Sequence, residues 1–301
     1  MSEPNGVLII DKPADMTSHD AVNIMRKLYN TKKVGHTGTL DPMATGLLVI
    51  LIGRAAKAAE YLVSDEKKYE AGLLLGVKYD TGDVTGTVLE SSQDIPEKEK
   101  VMEAVNSFIG KGQQIPPMYS ALKVDGQKLV NLARKGKTVE RKPRDIEIYS
   151  IEAAGEGRDY TLKVHCSKGT YMRTLCEDIG ERLGCPATMS SLRRFASGSF
   201  ELIRGYTIDE LRNMEYEDRV KLLLPTESLF EELPIVKLNG FFLKLFRSGQ
   251  QIYQKKIRTR YPVGQRVRVY DEKGFFALGE VAEYEEGSAV KSIKQFVLEE
   301  K

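Results

Sequence analysis

The stretch KVGHTGTLDPMATGLL (33–48) limits what this chain can become more than any other. Three glycines and three threonines surround one carboxylate, Asp41, set between Leu40 and Pro42. Proline holds the residue before it in extended geometry, and the glycines let a second backbone come close. An acid held this way, with apolar neighbours and few polar competitors, suits nucleophilic or base work. Asp-Pro is also a common start of a turn, and local sequence alone favours an ordinary loop. The absence of a G-K-[ST] ending excludes a phosphate-binding loop.

The flanking segments predict a mixed fold. GVLIIDKP reads as a buried strand ending at Asp11, because Pro13 restricts Lys12 to extended geometry. TSHDAVNIMRKLY follows as a helix capped by Thr17 or Ser18, with Ala21, Val22, Met25 and Leu28 facing inward. Segments near 69–77 and 84–89 predict a hairpin around DTGDVTG. TLKVHCS (161–167) alternates as a strand and turns at Lys168-Gly169. The helix after it is capped by Thr170, ended by Gly184, and carries Met172, Leu175, Cys176, Ile179 and Leu183 on one stripe.

Charge is distributed unevenly. The net charge is only +2 over 301 residues, yet 111–144 holds nine Lys/Arg (111, 123, 128, 134, 135, 137, 141, 142, 144) against Asp125 and Glu140. That irregular stretch reads as a flexible basic arm, or as a solvated surface. After the acidic LPTESLFEELP (224–234) the pattern changes to short strands, with a turn at Asp271–Gly274. The expected organisation is an α+β domain over 1–232 with a largely antiparallel sheet flanked by helices, followed by a small β domain over 235–301. From pattern alone an OB-like barrel fits that tail.

Three cysteines, Cys166, Cys176 and Cys185, form no C-x-x-C pair, which argues against a disulfide framework and for a reducing cytoplasm. The longest apolar run, LLVILI (47–52), is far shorter than the roughly 20 residues a membrane span requires. The polar start carries no secretory signal pattern.

GVLIIDKPADMTSHD, KVGHTGTLDPMATGLL, KKYEAGLLLG, IPPMYSALK and HCSKGTYMRTL resemble, in order, the motifs of the TruB family of bacterial tRNA pseudouridine-55 synthases. The resemblance covers most of residues 6–195. It implies a pseudouridine-synthase fold and isomerisation of one uridine in the T-loop of tRNA, with Asp41 as the essential carboxylate. It implies that Tyr69 packs on the flipped uracil and shuttles a proton at C5; read alone, a strand tyrosine is a core residue. Arg173 matches the arginine paired with the aspartate; read alone, it makes a surface pair with Glu177 one helical turn on. Tyr171 and Leu192 match residues lining the uracil pocket, and His36 the histidine that fills the place of the flipped base. Lys12 and Pro13 match an early motif that supports the active-site loop, with Lys12 counted among the substrate-binding positions. The tail, with Arg247, Arg258, Arg260, Arg266 and Arg268, is similar to an RNA-binding PUA barrel.

The implied reaction moves the ribose C1′ bond from N1 to C5 and gains no atoms, so it requires no cofactor or metal. A base inside folded RNA must first be turned out of its stack. The implied partner is tRNA through its T-arm, with no membrane, guide RNA or protein partner and a monomeric enzyme; guide-dependent relatives carry charged tails absent here. Two rivals remain: an RNA-binding or RNA-folding protein without catalysis, which predicts a decayed motif, and another base-directed enzyme. A zinc deaminase lacks its H-x-E and P-C-x-x-C signatures here. A glycosidase needs a second carboxylate, for which Asp80 or Asp83 stands in a turn expected to face water.

Overall fold

The computed structural model describes residues 3–62, 66–120, 122–124, 126–133 and 135–297. In chain order the first part runs β1 (Gly6–Lys12), α1 (Ser18–Leu28), β2 (Val34–His36), β3 (Thr45–Ile52), β4 (Lys67–Leu75), β5 (Val77–Tyr79), β6 (Val88–Ser91), α2 (Lys98–Asn106) and β7 (Gly110–Gln114). It continues through β8 (Lys123–Val124), β9 (Gln127–Lys128), α3 (Leu129–Ala133), β10 (Arg144–Glu156), β11 (Asp159–Cys166), α4 (Met172–Leu183) and β12 (Ala187–Ser197). Then come β13 (Phe200–Glu201), β14 (Tyr206–Thr207), α5 (Ile208–Asn213) and α6 (Tyr216–Lys221).

These strands build one mixed sheet in the order β14-β1-β3-β12-β4-β11-β10-β7, with β2 on β3 and β13 on β12. Only β1–β14 and β3–β12 pair in parallel; the other neighbours are antiparallel. β1 and β3 are apolar at nearly every position because both faces of the sheet are covered there. Leu8, Ile10, Leu48 and Ile50 join the large core that includes Met25 of α1, Val101 of α2 and Ile179 of α4. Val7, Ile9, Leu47 and Val49 face a second cluster. Toward β4 and β11 the burial alternates, as it does in Asp159–Cys166.

The helix ends follow from their sequences with one change, at the start of α4. Thr17 caps α1 in a reciprocal box with Asp20, which leaves the Ser18 side chain to be buried elsewhere. α4 begins after Tyr171 without a side-chain cap; Thr170 Oγ1 instead donates to Ser167 O at 2.9 Å. Gly184 ends it in the left-handed conformation, φ 65°.

The hairpin expected from 69–77 and 84–89 is displaced. β4 ends at Leu75 because it belongs to the main sheet, Gly76 breaks the strand at φ 82°, and β5 pairs with β6 in a separate two-stranded sheet. The 111–144 stretch is also more ordered than its composition suggests: β7 extends the edge of the main sheet, and β8, β9 and α3 follow. Of its cations, Arg134 and the side chains of Lys123 and Lys128 lie outside the described residues, as does Asp125.

At the parallel junction of β3 and β12, Thr45 lies opposite Arg193 and Gly46 opposite Arg194. Gly46 has φ +99°, and a Cβ there would stand 2.3 Å from the Arg194 carbonyl oxygen. Glycine is required both by the backbone angle and by the approach of the second strand.

Beyond Pro234 come β15 (Ile235–Lys237), α7 (Gly240–Arg247), β16 (Ile252–Tyr253), α8 (Gln254–Ile257), β17 (Arg266–Asp271), β18 (Gly274–Ala282) and β19 (Ala289–Gln295). Their sheet, β15-β17-β18-β19-β16, curls as a half-barrel whose path does not close, around a core with Val236, Phe246, Val269 and Phe276. It meets the rest of the chain through Ala58, Phe230, Leu278 and Phe296. Three of the five tail arginines are committed to this framework. Arg247 pairs with Asp271 at 2.5 Å, Arg266 donates to Tyr61 O at 2.8 Å, and Arg268 pairs with Glu227 at 2.6 Å. Arg258 and Arg260 are exposed. Among the described residues, no helix is long and apolar enough to cross a membrane.

Candidate active site

Asp41 stands in the loop between β2 and β3, and that loop is held from below. The Ser18 hydroxyl accepts from Leu40 N at 2.8 Å and donates to Leu40 O at 3.1 Å, so both polar groups of the preceding residue are fixed. Lys12 is fully buried, and its ammonium donates to the carbonyls of Pro13 (2.8 Å), Met16 (2.7 Å) and Pro42 (3.2 Å). Those three bonds use all its N–H groups. Lys12 thus holds the loop from beneath, with each N–H engaged, and it does not line the cavity that holds Asp41. Burial pushes its ammonium down to about 8.

Arg173, in the first turn of α4, holds the aspartate by an ion pair, Nε to Oδ2 at 3.0 Å, and by one hydrogen bond, Nη2 donating to Oδ1 at 3.2 Å. Its remaining reach goes to Tyr119 O (2.7 Å) and Thr81 O (3.1 Å). At 4% exposure it is no surface cation, and it is directed at Asp41 rather than at Glu177. Asp83 approaches the same guanidinium, Oδ2 to Nε 3.9 Å. Its other oxygen accepts from Thr81 Oγ1, Thr85 N and Thr85 Oγ1. The expectation that Asp83 faces water is thus overturned, because the Thr81 and Thr85 hydroxyls replace water; Asp80 is exposed as expected.

The electrostatic balance at Asp41 differs from the effect expected of Arg173 alone. Burial raises the carboxyl above its ordinary 3.8, and Asp83 adds to the rise; Arg173 and Lys12 oppose it without cancelling it. The acid is therefore more basic than a solvated aspartate.

Asp41, Tyr69, Tyr171 and Leu192 share one cavity of about 320 Å³, with Ser120 and Arg194 also in its wall. Tyr69 comes from β4 and Leu192 from β12, which pair with each other along the floor. Burial raises the Tyr69 phenol, while the neighbouring Arg194 lowers it. Arg194 is 1% exposed and donates to Leu47 O (2.8 Å) and Gly38 O (3.2 Å), tying β12 to both ends of the Asp41 loop. Tyr171 is set by Gln114 of β7, whose Oε1 accepts from Tyr171 N at 2.9 Å. His36 ends β2, opposite Ile50, and like Lys12 does not line the cavity. Burial, then Arg194, favours its neutral ring.

Sequence reasoning missed Ser18, Gln114, Ser120 and Arg194 as parts of the site. Arg194 had a signal: two residues from Leu192 on one strand, it must share the same face. Ser18 reads in the sequence only as one of two candidate caps of α1. Gln114 and Ser120 had none, since their value depends on where the 111–144 stretch folds back.

A model of the TruB family pseudouridylate synthase N-terminal domain matches residues 26–172, and one of the tRNA pseudouridylate synthase B C-terminal domain matches 173–231. The tRNA pseudouridine synthase B of Alkaliphilus oremlandii is 45% identical over 278 residues, 91% of this chain and 92% of that protein. That of Clostridium tetani is 41% identical, covering 92% and 95%. Among solved structures, one of a Cbf5-Nop10-Gar1 complex superposes with a TM-score of 0.74 at 28% identity, covering 98% of this chain and 85% of that one. Motif order, the buried Asp41–Arg173 pair and similarity along nearly the whole length agree, and the chain belongs to the TruB family of pseudouridylate synthases.

Proposed function

We propose that this protein isomerises uridine to pseudouridine in tRNA, at position 55 of the T-loop, with Asp41 as the reacting carboxylate. The observation that carries the reading is the buried Arg173–Asp41 ion pair, closed by one hydrogen bond, beside Tyr69 in a cavity suited to one extruded nucleoside. The relatives bear the name tRNA pseudouridine synthase B along nearly their full length, which supports tRNA as the substrate.

In this reading the uridine leaves its stack and lies against Tyr69 and Leu192; stacking on an aromatic face contributes about 1–3 kcal/mol per base. Ionised Asp41 starts the exchange by attacking the nucleotide or by removing a ribose proton. The C1′–N1 bond breaks, uracil rotates, and C1′ bonds to C5 as the bond to Asp41 breaks or the ribose proton returns, which frees the carboxylate. The C5 proton leaves through Tyr69, with Arg194 beside its phenol, and N1 takes a proton. No electrons are gained or lost, so the chemistry requires no cofactor. Tyr171 walls the base, and His36 enters the space the base leaves in the RNA.

Residues 1–232 form the catalytic domain and 235–301 a PUA-like unit that grips RNA. The enzyme works as a cytoplasmic monomer without guide RNA or protein partner. The test is tritium release from tRNA labelled at uracil C5: isomerisation liberates it without added cofactor. Tight tRNA binding with no release would leave only the binding-protein reading.

A further inference from the structure

Ser120 is 6% exposed and lines the cavity that holds Asp41, Tyr69 and Leu192. Its Oγ makes no hydrogen bond of good geometry among the described residues; the Tyr171 phenol, in the same wall, is near enough for Ser120 to lower its pKa against the larger rise that burial causes. Among the described residues, four other buried hydroxyls lack partners, on Tyr160, Thr188, Thr226 and Ser228, and none of them lines this cavity. A buried hydroxyl without a partner destabilises a fold, so one kept in a reaction cavity calls for a ligand.

The backbone around Ser120 is anchored on both sides. The carbonyl of Tyr119 accepts from Arg173 Nη2 at 2.7 Å, and the carbonyl of Ser120 accepts from Val130 N at 3.1 Å. Only two hydrogen bonds, through Arg173, separate the Ser120 segment from the Asp41 carboxylate. The side chain is thus held in register with the reacting group while its own hydrogen-bonding capacity stays unused. A serine hydroxyl donates once and accepts as well, which matches the uracil carbonyls, N3–H and the ribose 2′-hydroxyl.

We propose that Ser120 is a substrate-contacting residue, its hydroxyl bonded to a uracil carbonyl or to the ribose 2′-hydroxyl of the extruded uridine. This rests on the isomerase reading of the same cavity. The two fail separately: if the unaltered protein releases no tritium, that reading falls, whatever Ser120 does.

The test uses full-length Ser120→Ala. kcat/KM for tritium release should fall about threefold to about tenfold, the loss of one neutral hydrogen bond. Its Tm should equal or exceed that of the unaltered protein, since the change removes an unsatisfied buried group and breaks no internal bond. Filter binding to T-arm RNAs carrying 2-thiouridine, 4-thiouridine or 2′-deoxyuridine at the target then locates the contact. One analogue should weaken binding to the unaltered protein and have little further effect on Ser120→Ala, as a direct pair requires. An unchanged kcat/KM overturns the proposal. So does a lowered Tm accompanying the loss, which would mark Ser120 as structural. Strict additivity with all three analogues would overturn it as well.

Discussion

Asp41 is one acid whose neighbours decide its use. Asp41→Asn keeps the shape and removes the reacting oxygen, so it should fold, bind tRNA and release no C5 tritium in a single turnover. Because burial raises the Asp41 carboxyl, the acid limb of the pH–rate profile should lie above the ordinary aspartate range, with activity lost as pH falls through it. A limb at or below pH 4 would contradict the dry setting of the acid. Lys12 titrates in the opposite sense. Its folded value of about 8 lies below the ordinary 10.5, so between those values the unfolded chain binds more protons. This group's contribution to stability should then rise with pH across that window, and Lys12→Met should flatten the slope in urea denaturation at pH 8 and pH 10. Asp41, Tyr69, Arg173, Tyr171 and Leu192, which the family motifs single out by residue identity, line one cavity. The sequence did not reveal the buried scaffold of Ser18, Asp83 and Arg194, whose meaning is a distance to a partner far along the chain.

At the scale of elements, periodicity located β1, α1, β11 and α4 because each repeats with its own period over many residues. It misplaced the hairpin after β4 because the competing pairing partners of that strand, β11 and β12, lie about a hundred residues away. The 111–144 stretch carries both a structural and an electrostatic burden. Arg141 donates to Pro116 O at 3.1 Å, whereas Lys135, Lys137 and Lys142 are exposed. Replacing those three lysines by Gln should weaken tRNA binding and lower the log–log salt slope by about 0.7–0.9 per lost phosphate contact. An unchanged slope would make them an ordinary solvated surface.

For the whole molecule, the half-barrel is fastened to the larger part by an apolar seam as well as by Arg266 and Arg268. Phe296, 1% exposed in that seam, should cost about 3–5 kcal/mol when changed to Ala, read as a shift in the urea midpoint. A much smaller shift would mean the seam opens in solution.

The crossing of β3 and β12 has a genetic consequence. Any side chain at residue 46 must push back the Arg194 backbone, and Arg194 holds Gly38 and Leu47 at the two ends of the aspartate loop. A random library selected for lost pseudouridine should therefore return alleles at Gly46 alongside those at Asp41, though the glycine bears no reactive atom. The two classes part on intragenic suppression: a second-site change that relaxes the strands can restore the first, and nothing of that kind can replace a missing carboxylate.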